Sequence, residues 1–339
     1  MSRIRRFILL IVFLNMYCLI YGQDIHHSQF YTSPLNLNPG LTGIFNGDQR
    51  LALNYRRQWF VEDIVRYMTL TGSYDIRIYP KKWTTKGRWN AGLLFNYDQA
   101  GDSKLGLANL GLSVSYTYPI TNHNLISLGI LGGFSQRQFK TEELQWDAQW
   151  VDNFDPNRPT GENLSNTSNQ YFDFGTGINY RWQKSSRTKI DLGAAAYHLT
   201  RPEQKFFDQS LSIKLPIRFN INIQPAIKLA SSFDLLLHGQ YQLQQAYREL
   251  VVGGYGKFYL NQKRGKELNL LIGLASRLDD AIVPKIAIEY KTWYAGFSYD
   301  ITTSGFKNIV NNQGGPEFSL MYILVKAHPL TVLKSCPIF

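Results

Sequence analysis

The sequence predicts an all-β chain, a transmembrane antiparallel β-barrel of about fourteen strands set in an outer membrane. Three observations predict it. The first is a two-residue rhythm from about Gln49 to Val325. In Phe172, Phe174, Thr176, Ile178, Tyr180 and Trp182 nearly every second residue is bulky and apolar, while Asp173, Gly175, Gly177, Asn179 and Arg181 between them are polar or tiny. Side chains on a strand alternate between faces, so one face meets an apolar medium and the other a wet one. The second is an export signal at the N-terminus. The third is that no later run approaches a spanning helix in length and apolarity, as expected where strands do the spanning.

Residues 1–23 come first. Arg3, Arg5 and Arg6 precede an apolar run from Phe7 to about Tyr21, and Gly22-Gln23 suits a small-residue cleavage point. This is the layout of a secretory signal peptide. The run of about fifteen residues is short of the roughly 20 a spanning helix needs, which argues against an anchor. Cys18 does not suit lipoprotein processing, because Asn15-Met16-Tyr17 precedes it. Loss of this segment removes three arginines and no acids, so the formal charge falls from +11 to +8. The single cysteine left, Cys336, permits neither an intramolecular disulfide nor a cysteine-based metal cage.

Residues 24–48 are punctuated by Ser33-Pro34, Asn38-Pro39 and Gly40. Proline restricts itself and the residue before it, so this segment is extended or turning chain. It is expected at the periplasmic mouth or in the lumen, as a tail, a plug or a lead-in to the first strand.

Residues 49–326 form the barrel, followed by a C-terminal tail, 327–339. Strands are expected at about 49–58, 67–79, 87–99, 104–118, 124–138, 170–183, 187–199, 214–229, 232–244, 247–260, 266–278, 281–291, 292–301 and 316–326. Connections near 120–123, 183–186 and 261–265 are short and polar, as in hairpins. Those at 140–169, 201–213 and 302–315 are longer and should face outward, leaving both barrel ends periplasmic. Between Leu105 and Leu110 the apolar parity switches, by a β-bulge near Ala108 or by a strand that ends there. Tyr55 and Trp59, Trp83 and Trp89, Tyr116 and Tyr118, Trp182, Trp293 and Tyr294 bracket the strands as interfacial girdles.

The opposite parity gives the lumen Arg181, Lys189, Arg218, Arg277 and Lys285 against Asp173, Asp191, Asp234, Glu289 and Asp300, with Asn220, Asn222, Gln224, Gln240 and Gln242. Near-balanced signs suit a wet or plugged lumen held by mixed ion pairs, not a strongly ion-selective pore. Lysine is expected to disrupt insertion at Leu235 and to be tolerated at Gln240. The basic excess falls at turns: Lys81, Lys82 and Lys86, then Lys184 and Arg187, then Lys263, Arg264 and Lys266. Solubilising charge, outer-membrane lipid headgroups or an acidic partner account for these better than nucleic acid.

Chemistry is sparse. Asp234 and His238 share a strand face about 13 Å apart, too far for a dyad. His198 has no nucleophile at a selective spacing. Asp147, Asp152 and Asp155 lack the register of a calcium loop, and Gly253-Gly254-Tyr255-Gly256 follows no strand-to-helix turn that would cradle phosphate. No catalytic, cofactor or metal-binding residue is expected, and the chain is not expected to be an enzyme.

Ser28-Gln29-Phe30-Tyr31 with Pro34, then Leu37-Asn38-Pro39 and Gly43, resembles the PorP/SprF family of outer-membrane barrels from the Bacteroidota type IX secretion and gliding apparatus. The likeness continues at Arg50, Asn54-Tyr55-Arg56-Arg57-Gln58-Trp59, Ser73-Tyr74-Asp75, Asn96-Tyr97-Asp98-Gln99-Ala100-Gly101, Phe172-Asp173-Phe174, His198-Leu199-Thr200-Arg201-Pro202 and Leu215-Pro216. Gly40 stands where the family pattern has alanine after Asn-Pro, and Arg57 where asparagine is common. The resemblance implies a barrel that receives or anchors the C-terminal sorting domain of a secreted client protein and associates with periplasmic secretion and gliding complexes. Phe30, Tyr31, Pro34, Asn38, Pro39, Arg56, Gln58 and Trp59 are the partner-binding residues expected, at the periplasmic mouth. The competing expectation is a passive channel or transporter for small solutes.

Overall fold

A computed structural model describes residues 24–58, 67–79, 86–141, 144–162, 167–205, 213–308 and 310–325. The expected signal peptide, Trp59, Trp83, Lys81, Lys82 and the tail from 327 lie outside the described residues. The strands are β1 (Gln49–Gln58), β2 (Tyr67–Ile78), β3 (Arg88–Ala100), β4 (Leu105–Pro119), β5 (Asn124–Gln138), β6 (Ser168–Gln183), β7 (Lys189–Tyr197), β8 (Glu203–Gln204), β9 (Ile213–Lys214), β10 (Arg218–Ala230), β11 (Phe233–Gln244), β12 (Tyr247–Asn261), β13 (Leu268–Arg277), β14 (Ala281–Tyr290), β15 (Trp293–Thr302) and β16 (Gln313–Leu324). Fourteen of them form one closed antiparallel barrel; β8 and β9 make a separate two-stranded ribbon. β1 closes the wall against β16, from Gln49 opposite Leu324 to Arg56 opposite Glu317. Closure leaves no unpaired edge, which is the condition for a sheet to sit in lipid.

Gln49 and Leu324 share one end of the barrel, together with the short turns 120–123, 184–188, 231–232 and 291–292. The long connections 139–167, 198–217 and 303–312 emerge at the other. By the asymmetry of outer-membrane barrels, the first end is periplasmic.

The period-2 pattern sorts the two faces. Phe172 is 69% exposed and Ile130 62%, while Arg181, Asp191, Asn220 and Asn222 are buried inside. Aromatic rings gather outside at the periplasmic rim: Trp89 stacks at 5.0 Å from Tyr116, and Trp293 at 4.5 Å from Tyr322. Their rings are placed at headgroup level.

The parity switch at Leu105–Leu110 has neither expected cause. β4 pairs without a break from Leu105 opposite Ala100 to Thr117 opposite Arg88, so no bulge stands at Ala108 and the strand does not end there. Leu107 instead faces the lumen beside Leu94 and Leu131. Leu94 and Leu131 belong to a cluster with Leu35, Ala195 and Tyr197 that packs an apolar side chain of the 24–48 segment. Inward leucines mark a dry patch of lumen. Register shifts do occur at Lys228/Ala230, Tyr259/Asn261 and Asp300/Ile301, all toward strand ends.

Candidate functional site

Residues 24–48 run down the inside of the barrel. They start among the outer loops at Asp24 and leave at the periplasmic end, where Asp48 N–H donates to the Leu324 carbonyl at 2.9 Å. Their local structure follows from the prolines. Pro34 opens a single helical turn, Pro34–Leu37, where its missing N–H costs nothing. Asn38 then breaks it in extended conformation, and its side chain accepts from Gly40 N–H at 2.7 Å.

The segment touches all fourteen barrel strands. Thr32, His27, Asn36, Thr42 and Pro39 meet β1 to β5 in turn through Asn54, Thr71, Asn96, Ser113 and Gly129. Asn38 donates to Ile178 O of β6, Leu35 O accepts from Tyr197 of β7, and Leu37 O accepts from Asn220 of β10. Phe30 and Tyr31 pack on His238 of β11, Tyr255 of β12 and Lys285 of β14. Ser28 and Gln29 bind Arg277, Asp300 and Glu317 of β13, β15 and β16. The carbonyls and amides of this irregular chain would be unpaired in a dry lumen; the inward polar residues pair them.

Glycines make the room. A Cβ on Gly129 would stand 2.2 Å from Pro39 O, one on Gly177 2.0 Å from Asn38 Oδ1, and one on Gly193 2.4 Å from Asn38 Nδ2. These three sit on adjacent strands β5, β6 and β7 as a floor beneath Asn38-Pro39. Gly129→Ala is therefore expected to unseat the segment by about 1–3 kcal/mol of overpacking while leaving the wall paired. Limited proteolysis within 24–48 should speed up at unchanged β-sheet circular dichroism; an unchanged cleavage rate contradicts this seat.

The outer half of the lumen is ionic. Arg56 and Arg277 converge on Asp300 Oδ2 at 2.8 and 2.9 Å, and Ser28 Oγ donates to Asp300 Oδ1 at 2.7 Å. The Glu317 carboxylate accepts the backbone N–H groups of Ser28 and Gln29 at 2.8 and 2.9 Å. Arg218 ties down the top of the segment, reaching Asp24 at 2.8 Å and the carbonyls of Ile25 and Asn36 at 3.2 and 3.3 Å.

His198 lies between two carboxylates, 2.7 Å from Asp24 and 2.6 Å from Asp173. Burial alone would lower its pKa, but the charges of Asp24 and Asp173 outweigh burial and hold it up at about 9, against 6.5. The His198–Asp24 clamp thus contributes stability that is complete below pH 6.5 and is lost as pH rises through about 9. Protease cleavage near residues 25–30 should accelerate between pH 7 and 10 in the wild type, and His198→Gln should abolish that dependence.

Below the segment, toward the periplasm, a cavity of about 360 Å³ remains. Tyr31, Tyr255, Tyr294 and Leu271 form its largely aromatic floor, and Asn46, Ser186 and Arg187 lie at its rim. Arg187, one of the basic turn residues assigned to solubilising charge, lipid headgroups or an acidic partner, holds Asp234 at 2.6 Å.

The expected partner-binding residues divide. Phe30, Pro34, Asn38 and Pro39 are buried against the barrel's own wall, and Tyr31 forms part of the cavity floor. Arg56 and Gln58 do not shape a periplasmic mouth. β1 starts at that mouth with Gln49 and climbs about 33 Å at the strand rise of ~3.3 Å per residue, so both end in the outer half. Sequence reading missed Glu317, Glu249 and the glycine floor. The floor has a signal: glycines at inward parity on three neighbouring strands.

Over residues 19–322 the sequence matches the family described as type IX secretion system membrane protein PorP/SprF. The chain belongs to the PorP/SprF family. No curated protein matches it. Among solved structures, the toluene transporter TbuX of Ralstonia pickettii is 11% identical, with TM-score 0.49 over 86% of this chain and 92% of that one. A Pseudomonas aeruginosa FadL homologue is 10% identical, TM-score 0.49, over 84% and 92%. Likeness at this level carries no functional reading. As a PorP/SprF barrel with a lipid-facing apolar band, the protein is an outer-membrane component of type IX secretion.

Proposed function

We propose that this PorP/SprF protein is a non-enzymatic barrel that receives or anchors the C-terminal sorting domain of a secreted surface protein from the periplasmic side, working with periplasmic secretion and gliding components. The observation that carries the reading is the 24–48 segment meeting every strand of the wall. A lumen crossed by a segment that meets every strand is a poor solute path, and the cavity beneath it is a periplasmic-side vestibule suited to reception. Phe30, Pro34, Asn38 and Pro39, four of the residues expected to bind a partner, pack inside this closure, so their role in this reading is to build the receiving face from within.

The test is removal of the protein from its native cell. Surface proteins bearing a sorting domain should be lost from the cell surface, and their precursors should accumulate in the periplasm. Normal display of every such protein, with reduced uptake of a small solute instead, would overturn the reading in favour of a passive channel.

A further inference from the structure

The charges around the periplasmic vestibule are unequally committed. Five cations line it: Arg50, Arg181, Arg187, Lys189 and Lys257. Four have carboxylates within reach, Arg50–Asp75 at 2.8 Å, Arg181–Asp191 at 2.7 Å, Arg187–Asp234 at 2.6 Å and Lys257–Glu289 at 2.5 Å. Lys189, half-buried on the inward face of β7, makes no ion pair within 4.0 Å among the described residues. The nearby acids, Asp191 and Glu289, are already engaged by Arg181 and Lys257. A half-buried ammonium without a counter-ion is costly, and a ligand carboxylate would relieve that cost.

We propose that the vestibule binds the extended C-terminal end of a polypeptide, with its terminal carboxylate on Lys189 and its last apolar side chain on the Tyr31–Tyr255–Tyr294 floor. This rests on, and sharpens, the reading that the barrel receives a secreted protein. The cavity of about 360 Å³ lies at the small end of ligand sites, roughly 300–1,000 Å³, so it takes the end of a chain and not a folded domain. The side-chain amides of Asn46 and Gln224 also line it, and neither is hydrogen-bonded among the described residues. A peptide backbone offers these amides donors and acceptors. The hydrocarbon tail of a fatty acid offers none and would leave the half-buried Gln224 amide unpaired. Aromatic rings and a cation lining one cavity suit an amphipathic end, with its side chain on the rings and its charge on Lys189.

The detergent-solubilised full chain would be titrated with a fluorescein-labelled octapeptide of alternating threonine and valine ending in phenylalanine with a free carboxylate. Its C-terminal amide and dodecanoate serve as comparisons. The free acid should bind at least ten-fold more tightly than the amide, a charge-assisted hydrogen bond being the difference. Lys189→Gln should erase that preference and Lys189→Arg should keep it. Because Lys189 has no ion-pair partner to strand, neither change should alter the gel mobility of the folded barrel. Equal binding of acid and amide, an unchanged preference in Lys189→Gln, or dodecanoate binding without peptide binding would each overturn the proposal. If sorting domains still co-purify with both wild type and Lys189→Gln, only this proposal falls. If the carboxylate preference holds while no sorting domain co-purifies, the proposal stands and the functional reading falls.

Discussion

Asp300→Ala is expected to destabilise the folded barrel by about 3–5 kcal/mol, the cost of stranding buried charge. Asp300 is only 3% exposed, and its carboxylate joins two wall arginines to Ser28 of the luminal segment. Removing it leaves Arg56 facing Glu317 at 3.9 Å and Arg277 facing Glu249 at 3.7 Å and Asp280 at 2.8 Å. Arg56 keeps that distant carboxylate and the His26 carbonyl at 3.0 Å, with no close counter-ion, and the Ser28 hydroxyl loses an acceptor. Urea titration of the protein in detergent should show an earlier midpoint. Removing Arg56 as well should cost less than the sum of the two single changes, because the stranded guanidinium goes too. A loss under about 1 kcal/mol, or strict additivity, would show that the cluster is not a coupled unit.

Ile130→Lys should cost about 2–4 kcal/mol by placing an ammonium in hydrocarbon near the membrane midplane. Ile130 lies near the centre of β5, outward, paired with Val114 and Thr176. The same change at exposed Ile120, in the β4–β5 turn, should cost only about 0–1 kcal/mol, since the interface solvates the charge. Folding into lipid vesicles, scored by the gel shift between heated and unheated samples, separates the two. Equal folding of both variants would put Ile130 outside the hydrocarbon. Gln240→Lys is no longer the tolerated comparison that parity suggested. Gln240 does face inward, but it is 6% exposed in a packed lumen, so an added charge there is buried too.

The strands and the two faces of the wall were readable because a strand's environment is imposed locally, every second residue. Phe172 to Trp182 needed only lipid on one side to be understood, and the fourteen expected strands match the observed ones to within a few residues. The Asn38-Pro39-Gly40 turn was equally readable, since proline and an Asn cap act within three residues. Arg56 was misplaced although its signal is local: with both barrel ends periplasmic, a ten-residue strand that starts there at Gln49 carries Arg56 to the outer half.

The sequence by itself therefore determined the barrel, its inside and outside, its address and its family. It did not determine what fills the barrel. Ser28 lies 289 positions from Glu317, and Asp24 lies 174 from His198. No periodicity links such pairs, because each depends on how the closed wall projects its polar side chains onto one short chain at its centre. The plug, the arginine–Asp300 cluster and the vestibule beside Lys189 were decided only when fourteen strands closed around residues 24–48.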